Sequence, residues 1–498
     1  MTTQQTLFKP SSMPWHPAAF QRKAVKFLLE HAAAALFLDP GLRKTSITLA
    51  ALKILLKKGL VEKVLIIAPL QICYSVWPKE VAKWTDFNEL KLAILHGKDK
   101  EEVLKADAHQ IYLINPEGLD WLLNMTKTRS PVRGRLSVSI DMARWKRLGF
   151  DTLVVDELTT FKHPNNGKSK GLKQVLHTFG RRWGLTGSPA ANGLLDLFGQ
   201  CYVLDQGRTL GPYISQFRRE YFTPGYDGFS WNLKEGADER IYRRLKPLAL
   251  RMAAEDYIDL PKLIENNIKV QLPPDVLKVY LELERDLIVR LDQGKVTAAT
   301  AATASMKCRQ VANGGVYLDQ EVVALVKLPK STREWVDLHD EKVTVVEQLL
   351  DELQGSSPLL VAYDFGHDLA RLQKALGKDV PYIGGGVAPK RRLELEDLWN
   401  AGKLPVLLAH PQTAARGLNL QESGSHVCWH SLTWDYELYD QFIRRIRRSG
   451  QKAKRVTVHH VLSAGTIDEV ILAALKGKAR GQQALFKALK TLRTIRKG

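Results

Sequence analysis

The sequence predicts an α/β protein built from two parallel-sheet domains in tandem with helical insertions. Short apolar runs carry the first part of that reading. Val64–Ala68 (VLIIA), Ile111–Ile114 and Thr152–Val155 are β-prone and nearly uniformly apolar, as strands buried on both faces are. Stretches with helical spacing of apolar residues lie between them, and this alternation implies parallel sheets with right-handed crossovers. Similar runs return late in the chain, at Leu359–Ala362, Val406–Ala409 and Val456–Leu462, after a long helical stretch. The third observation is length, since 498 residues suffice for two or three domains with large cores.

Hydrophobic residues are 45% and charged residues 25% of the chain, an ordinary globular balance. The net charge is +20. An excess of that size points to a polyanionic partner, nucleic acid first, because clustered Lys and Arg release condensed counterions from phosphates. Solubility alone is the competing explanation. Cys73, Cys201, Cys308 and Cys428 lie far apart without Cys-x-x-Cys spacing. That argues against a zinc site or disulfide framework and fits a reducing compartment. The N-terminus lacks a charged-then-apolar leader pattern, and no long apolar run occurs, so no membrane span is expected.

Residues 1–15 read as a flexible arm. A helix from about Ala18 to His31 places Phe20, Ala24, Phe27 and Leu28 on one face. Gln21 on that helix either reads an adenine edge with its amide or faces solvent. Leu36–Thr45, LFLDPGLRKT, is a strand running into a Pro-Gly turn and then a helix. Read as a phosphate loop, it offers the backbone N–H groups of Gly41, Leu42 and Arg43, the Lys44 cation, and the Thr45 hydroxyl for Mg²⁺. Read otherwise, it is a basic turn without a ligand. Arg43 stands where the motif has glycine. Trp77, Val81 and Trp84 have helical spacing and read as core. Residues 127–147 form a basic insertion that contacts nucleic-acid backbone or stays solvated.

Asp151–Lys162, DTLVVDELTTFK, is a strand ending in two acids. Asp156 can hold Mg²⁺ through water while Glu157 orients or deprotonates an attacking water, the division of labour that nucleotide hydrolysis needs. A solvated acidic turn is the bland alternative. Arg182–Leu185 is a further strand feeding Thr186-Gly187-Ser188-Pro189.

These segments, with APL at 68–70, NPEGL at 115–119, LTGSPAANGLLDLF at 185–198, ARGLNLQ at 415–421 and QFIRRIRRSGQ at 441–451, occur in the order of the superfamily-two helicases. The chain resembles their SWI/SNF-type DNA translocase branch, in the compact form carried by bacteriophages and bacterial mobile elements. The resemblance runs from about Phe20 to Leu475. It implies two RecA-like domains, ATP and Mg²⁺ bound between them, and duplex DNA across both. By residue, it implies Lys44, Asp156 and Glu157 in catalysis and Gly417 in the loop that bridges DNA backbone and nucleotide. Arg445 and Arg448 match the family's two arginines, three apart, and arginine supplies a planar cation for γ-phosphoryl charge. That spacing puts both on one helical face. Arg444 and Arg447 read as solvated or DNA-facing.

The expected layout is an ATP-binding domain at 16–262, a helical linker at 263–340, and a helicase C-terminal domain at 341–498 ending in a basic helix. The expected activity is an ATP-dependent duplex-DNA translocase or helicase-like ATPase of a bacterial or phage-infected cytoplasm. The alternative is a DNA-binding module whose hydrolysis Arg43 impairs.

Overall fold

The computed structural model describes residues 12–129, 136–190, 193–225, 231–292, 298–318, 335–353, 355–414 and 417–477. Most of the N-terminal arm, the middle of the basic insertion, Ala415, Arg416 and the basic C-terminal helix expected after 477 lie outside them. The chain divides into two compact units, Met1–Asp259 and Leu260–Gly498.

The strands of the first unit are β1 (Ala33–Leu38), β2 (Val64–Ile67), β3 (Leu92–Ile94), β4 (Ile111–Ile114), β5 (Thr126–Arg129), β6 (Leu136–Ser139), β7 (Thr152–Asp156), β8 (Arg181–Thr186), β9 (Phe222–Pro224), β10 (Trp231–Leu233) and β11 (Ala249–Met252). Seven form one sheet in the order β11-β1-β8-β7-β2-β4-β3, every pair parallel. Helix α1 (Ala19–Glu30) precedes β1, and α2 (Lys44–Lys57) leads from β1 towards β2. Phe37, Leu65, Ile67, Tyr112, Ile114, Leu153 and Val155 enter one core with Trp145, Phe161 and Phe198. The alternate residues Leu36, Leu38, Val64, Ile66, Leu113 and Val154 are equally buried. Neither face is wet, which is why the strands read as unbroken apolar runs.

The basic insertion is less free than its composition implies. β5 and β6 pair as an antiparallel hairpin. Lys127 is bonded to Asp120, Arg144 meets Glu101 at 3.1 Å, and Trp145 is buried against Phe150.

The second unit contains β12 (Lys262–Val270), β13 (Gly315–Tyr317), β14 (Trp335–Asp337), β15 (Leu359–Ala362), β16 (Tyr382–Ile383), β17 (Val406–Ala409), β18 (His426–Trp429) and β19 (Arg455–Ser463). Six form a second parallel sheet, β12-β19-β18-β15-β17-β16. Leu360, Ala362, Leu407, Trp429 and Val458 face one core, while Leu359, Val361, Leu408, Cys428 and Val461 face the other. The segment 263–340, read as a helical linker, therefore opens with a strand. β12 lies at the sheet edge, and Glu265, Asn266 and Asn267 interrupt its apolar pattern. Asn266 and Asn267 bond His459 and His460 of the neighbouring strand. Lys342 lies in the first turn of the helix Glu341–Glu352. It is fully buried, ion-paired to Asp468 at 2.6 Å and bonded to Asn313 at 2.8 Å.

Candidate active site

In the first sheet β1 adjoins β8, and β8 adjoins β7. Their C-terminal ends thus lie side by side, and this edge is where open parallel sheets bind ligands. The first end carries the phosphate-loop sequence, the second Thr186-Gly187, and the third Asp156-Glu157. Gly187 touches the loop directly. A Cβ there would lie 2.9 Å from Pro40 Cδ and 3.5 Å from the Leu38 carbonyl oxygen, so a larger residue would push the two segments apart.

The loop curls through two residues of positive φ, Gly41 at 96° and Arg43 at 54°. Arg43 is left-handed with ψ 47° and directly precedes α2, its side chain exposed. Leu42 is buried and anchors the turn. Lys44 begins the helix and donates from Nζ to the Leu38 carbonyl at 2.8 Å, drawing the cation back over the end of β1. Thr45 is buried in the first turn. The hydroxyls of Ser46 and Thr48 donate to the carbonyls of Arg43 and Lys44.

Asp156 ends β7 with 6% exposure. Its Oδ1 accepts the Glu157 N–H at 3.1 Å, and its Oδ2 accepts the Trp77 indole N–H at 3.0 Å. Burial, and then the Glu157 charge, push its carboxyl up to about 7, while Lys44 and the two N–H donors pull the other way. A buried carboxyl beside a second carboxylate is a costly charge that a divalent cation would neutralise, so these residues fit Mg²⁺. Glu157 is left-handed at φ 59°, where the chain turns out of the strand. Among the described residues five non-glycines have positive φ, and two of them are Arg43 and Glu157. Backbone strain of that kind gathers at functional sites.

Gln21 is 4% exposed, so it does not face solvent. Its Oε1 accepts the Ala18 N–H at 2.9 Å, while its buried Nε2 meets no protein acceptor. An amide donor held this way fits the acceptor edge of a base.

In the second unit, the loop after β17 and the arginine segment meet. Arg445 donates to the Leu418 carbonyl at 3.2 Å and its own carbonyl accepts from Leu420 N–H. Arg448 donates to the Asn419 side-chain carbonyl. Gly417 opens that loop at φ 79°. The helix beneath, Tyr436–Ile443, stops before either arginine, so both sit on the turns that follow it and not on one helical face. Arg444 pairs with Asp440 at 2.7 Å and Arg447 donates to the Pro261 carbonyl at 2.9 Å. Both are half-buried and held by partners within the unit. Sequence reasoning also missed Trp77 and Asn419. Spacing marks Trp77 as core, which it is, but nothing in the periodicity announces where its N–H points.

Two family models match the chain, the SNF2-related domain over residues 20–315 and the helicase conserved C-terminal domain over 341–450. Protein p41 of Acyrthosiphon pisum secondary endosymbiont phage 1 is 31% identical over 490 residues, covering 95% of this chain and 98% of p41. The Xenopus tropicalis SWI/SNF-related matrix-associated actin-dependent regulator of chromatin subfamily A-like protein 1 is 23% identical over 94% of this chain, which spans 45% of that longer protein. Among solved structures, the Sulfolobus solfataricus SWI2/SNF2 ATPase core in complex with dsDNA aligns over 95% of this chain and 93% of its own, at 22% identity and a TM-score of 0.43.

Proposed function

The chain belongs to the SNF2-related family of helicase-like ATPases, and from that premise we propose that it is a Mg²⁺-dependent ATPase that tracks along duplex DNA. The observation that carries the reading is the shared edge of β1, β8 and β7, which brings a phosphate-loop lysine and a strand-end acid pair to one place. The N–H groups of Gly41, Leu42 and Arg43, with Lys44, hold phosphate oxygens, and Gln21 addresses the base. Thr45 and Asp156 hold Mg²⁺, which when bound offsets phosphate charge. Glu157 orients the attacking water and takes its proton. Gly417 and Arg445 and Arg448 of the second unit serve the nucleotide, the two arginines through the γ-phosphoryl oxygens. The +20 charge supports a nucleic-acid partner held by its backbone. No helix among the described residues is long and apolar enough to cross a membrane. The likeness to a phage protein supports placing the activity in a bacterial or phage-infected cytoplasm.

The test is phosphate release with duplex DNA, single-stranded DNA, RNA and no nucleic acid. Stimulation by duplex DNA, weakening steeply with salt, is the expected result. Turnover that ignores nucleic acid overturns the reading. The second reading, a DNA-binding module with impaired hydrolysis, has one observation in its favour, the left-handed arginine at 43. DNA binding without DNA-stimulated phosphate release would select it.

A further inference from the structure

Trp77 lies on the helix Leu70–Lys83, outside every segment assigned above to nucleotide or metal. It is fully buried, and its single polar atom is committed to the site, donating to Asp156 Oδ2 at 3.0 Å. The other carboxylate oxygen accepts the Glu157 backbone N–H. An ionised carboxylate offers about four lone-pair positions, two on each oxygen. One on each is thus taken from within the protein, and one on each is left over.

We infer that Trp77 is a positioning residue, its indole N–H fixing the Asp156 carboxylate so that the remaining lone pairs face the cation. The inference rests on the ATPase reading, in which Asp156 holds the metal. The chemistry of the indole suits the task. It is a donor only, so it cannot exchange roles with the carboxylate or compete for the cation. Its ring is rigid and enclosed by core, so the N–H direction is set by packing. Pro78 follows it directly inside the helix and has no N–H to return to the carbonyl four residues back, which interrupts the helical ladder beside Trp77. Groups that hold a metal ligand in place in this way change metal affinity or activity by about 10- to 100-fold when removed. A purely structural role is the alternative, in which a buried indole N–H finds Asp156 as a convenient acceptor.

The two are separated by ADP affinity, measured by calorimetry in Mg²⁺ and again in EDTA. The readout is the ratio of the two dissociation constants. Trp77→Phe keeps a ring and removes the donor, and should shrink the Mg²⁺-dependent tightening by about tenfold or more while leaving the EDTA value unchanged. Benzothienylalanine at position 77 keeps the bicyclic shape and also lacks the N–H, so it repeats the measurement with packing conserved. A full ratio in the benzothienyl protein overturns the inference, even where the Phe variant fails to fold. If the parent protein shows no Mg²⁺-dependent tightening, the ATPase reading falls instead, and the two failures are distinct.

Discussion

Replacing Arg43 separates what its backbone does from what its side chain does. The residue is held at φ 54°, ψ 47°, with its guanidinium exposed. A side chain with a Cβ is about 1–2 kcal/mol less favourable there than in the right-handed region, and glycine escapes that penalty. Glycine also gives the unfolded chain more freedom, which takes back roughly 0.5–1 kcal/mol. Arg43→Gly should therefore stabilise the first unit by about 0.5–1 kcal/mol, or about 2–4 °C per kcal/mol in its thermal transition. Arg43→Ala keeps the Cβ and loses only the cation, so it should stay within about 0.5 kcal/mol of the parent. Thermal unfolding of the three proteins in EDTA reads this backbone effect. ATP affinity in Mg²⁺ reads the ligand effect. Whatever strain is relieved only as the loop closes on phosphates appears there, as tightening of up to about fivefold for glycine and none for alanine. The outcome that refutes the reasoning is weaker ATP binding in both variants. The guanidinium would then be a working phosphate ligand, and strain a secondary matter.

Three further expectations concern the acids and the second unit. Glu157→Gln should bind ATP normally and lose most hydrolysis, since an amide cannot accept the water's proton; near-normal phosphate release in that variant removes Glu157 from the mechanism. Arg448→Ala should lower the maximal rate by about a thousandfold with DNA affinity unchanged, and Arg448→Lys should not rescue it; a loss of DNA affinity alone would move the residue to the DNA surface. Asp156 has its folded pKa raised from 3.8 to about 7, so in metal-free buffer its ionisation destabilises the fold progressively from the unfolded pKa upwards and fully above about 7. Asp156→Asn should consequently gain on the parent by roughly 2–3 kcal/mol between pH 5 and pH 8, offset throughout by the one N–H donor its amide cannot accept. Parallel stability–pH curves for the two proteins would show that the carboxyl is not held in that environment.

Much of this was legible in the chain. Strands buried on both faces write themselves as apolar runs, and the strand-end acids and Lys44-Thr45 stand at the ends of two such runs. What stayed hidden depends on long-range partners. β12 is an edge strand whose asparagines are satisfied by His459 and His460, so its own residues carry little pattern. Nothing near Lys342 in the chain announces that Asp468 and Asn313, far away in sequence, close around its ammonium. The arginines of QFIRRIRRSGQ have helical spacing, yet the helix ends at Ile443 because the following turns bond to the loop at Leu418–Leu420. Spacing within a segment cannot reveal a partner elsewhere in the chain.

The strand order of the first sheet also governs when this site can come into being. β1 is made early, but Ala33 pairs with Arg182 on one side, and Ala35 pairs with Ala249 on the other. Neither neighbour exists while the phosphate-loop sequence leaves the ribosome. At roughly 5–20 residues per second, β1 waits on the order of ten seconds or more for its second partner. During that interval AAALFL is an apolar segment with both edges open, a natural client for a holding chaperone and a hazard for mispairing. Birth order and assembly order are thus opposed. A nascent chain that stops before β11 carries the phosphate-loop sequence without the frame that shapes it, so nucleotide affinity should arrive late and abruptly in synthesis, with the closing of the sheet.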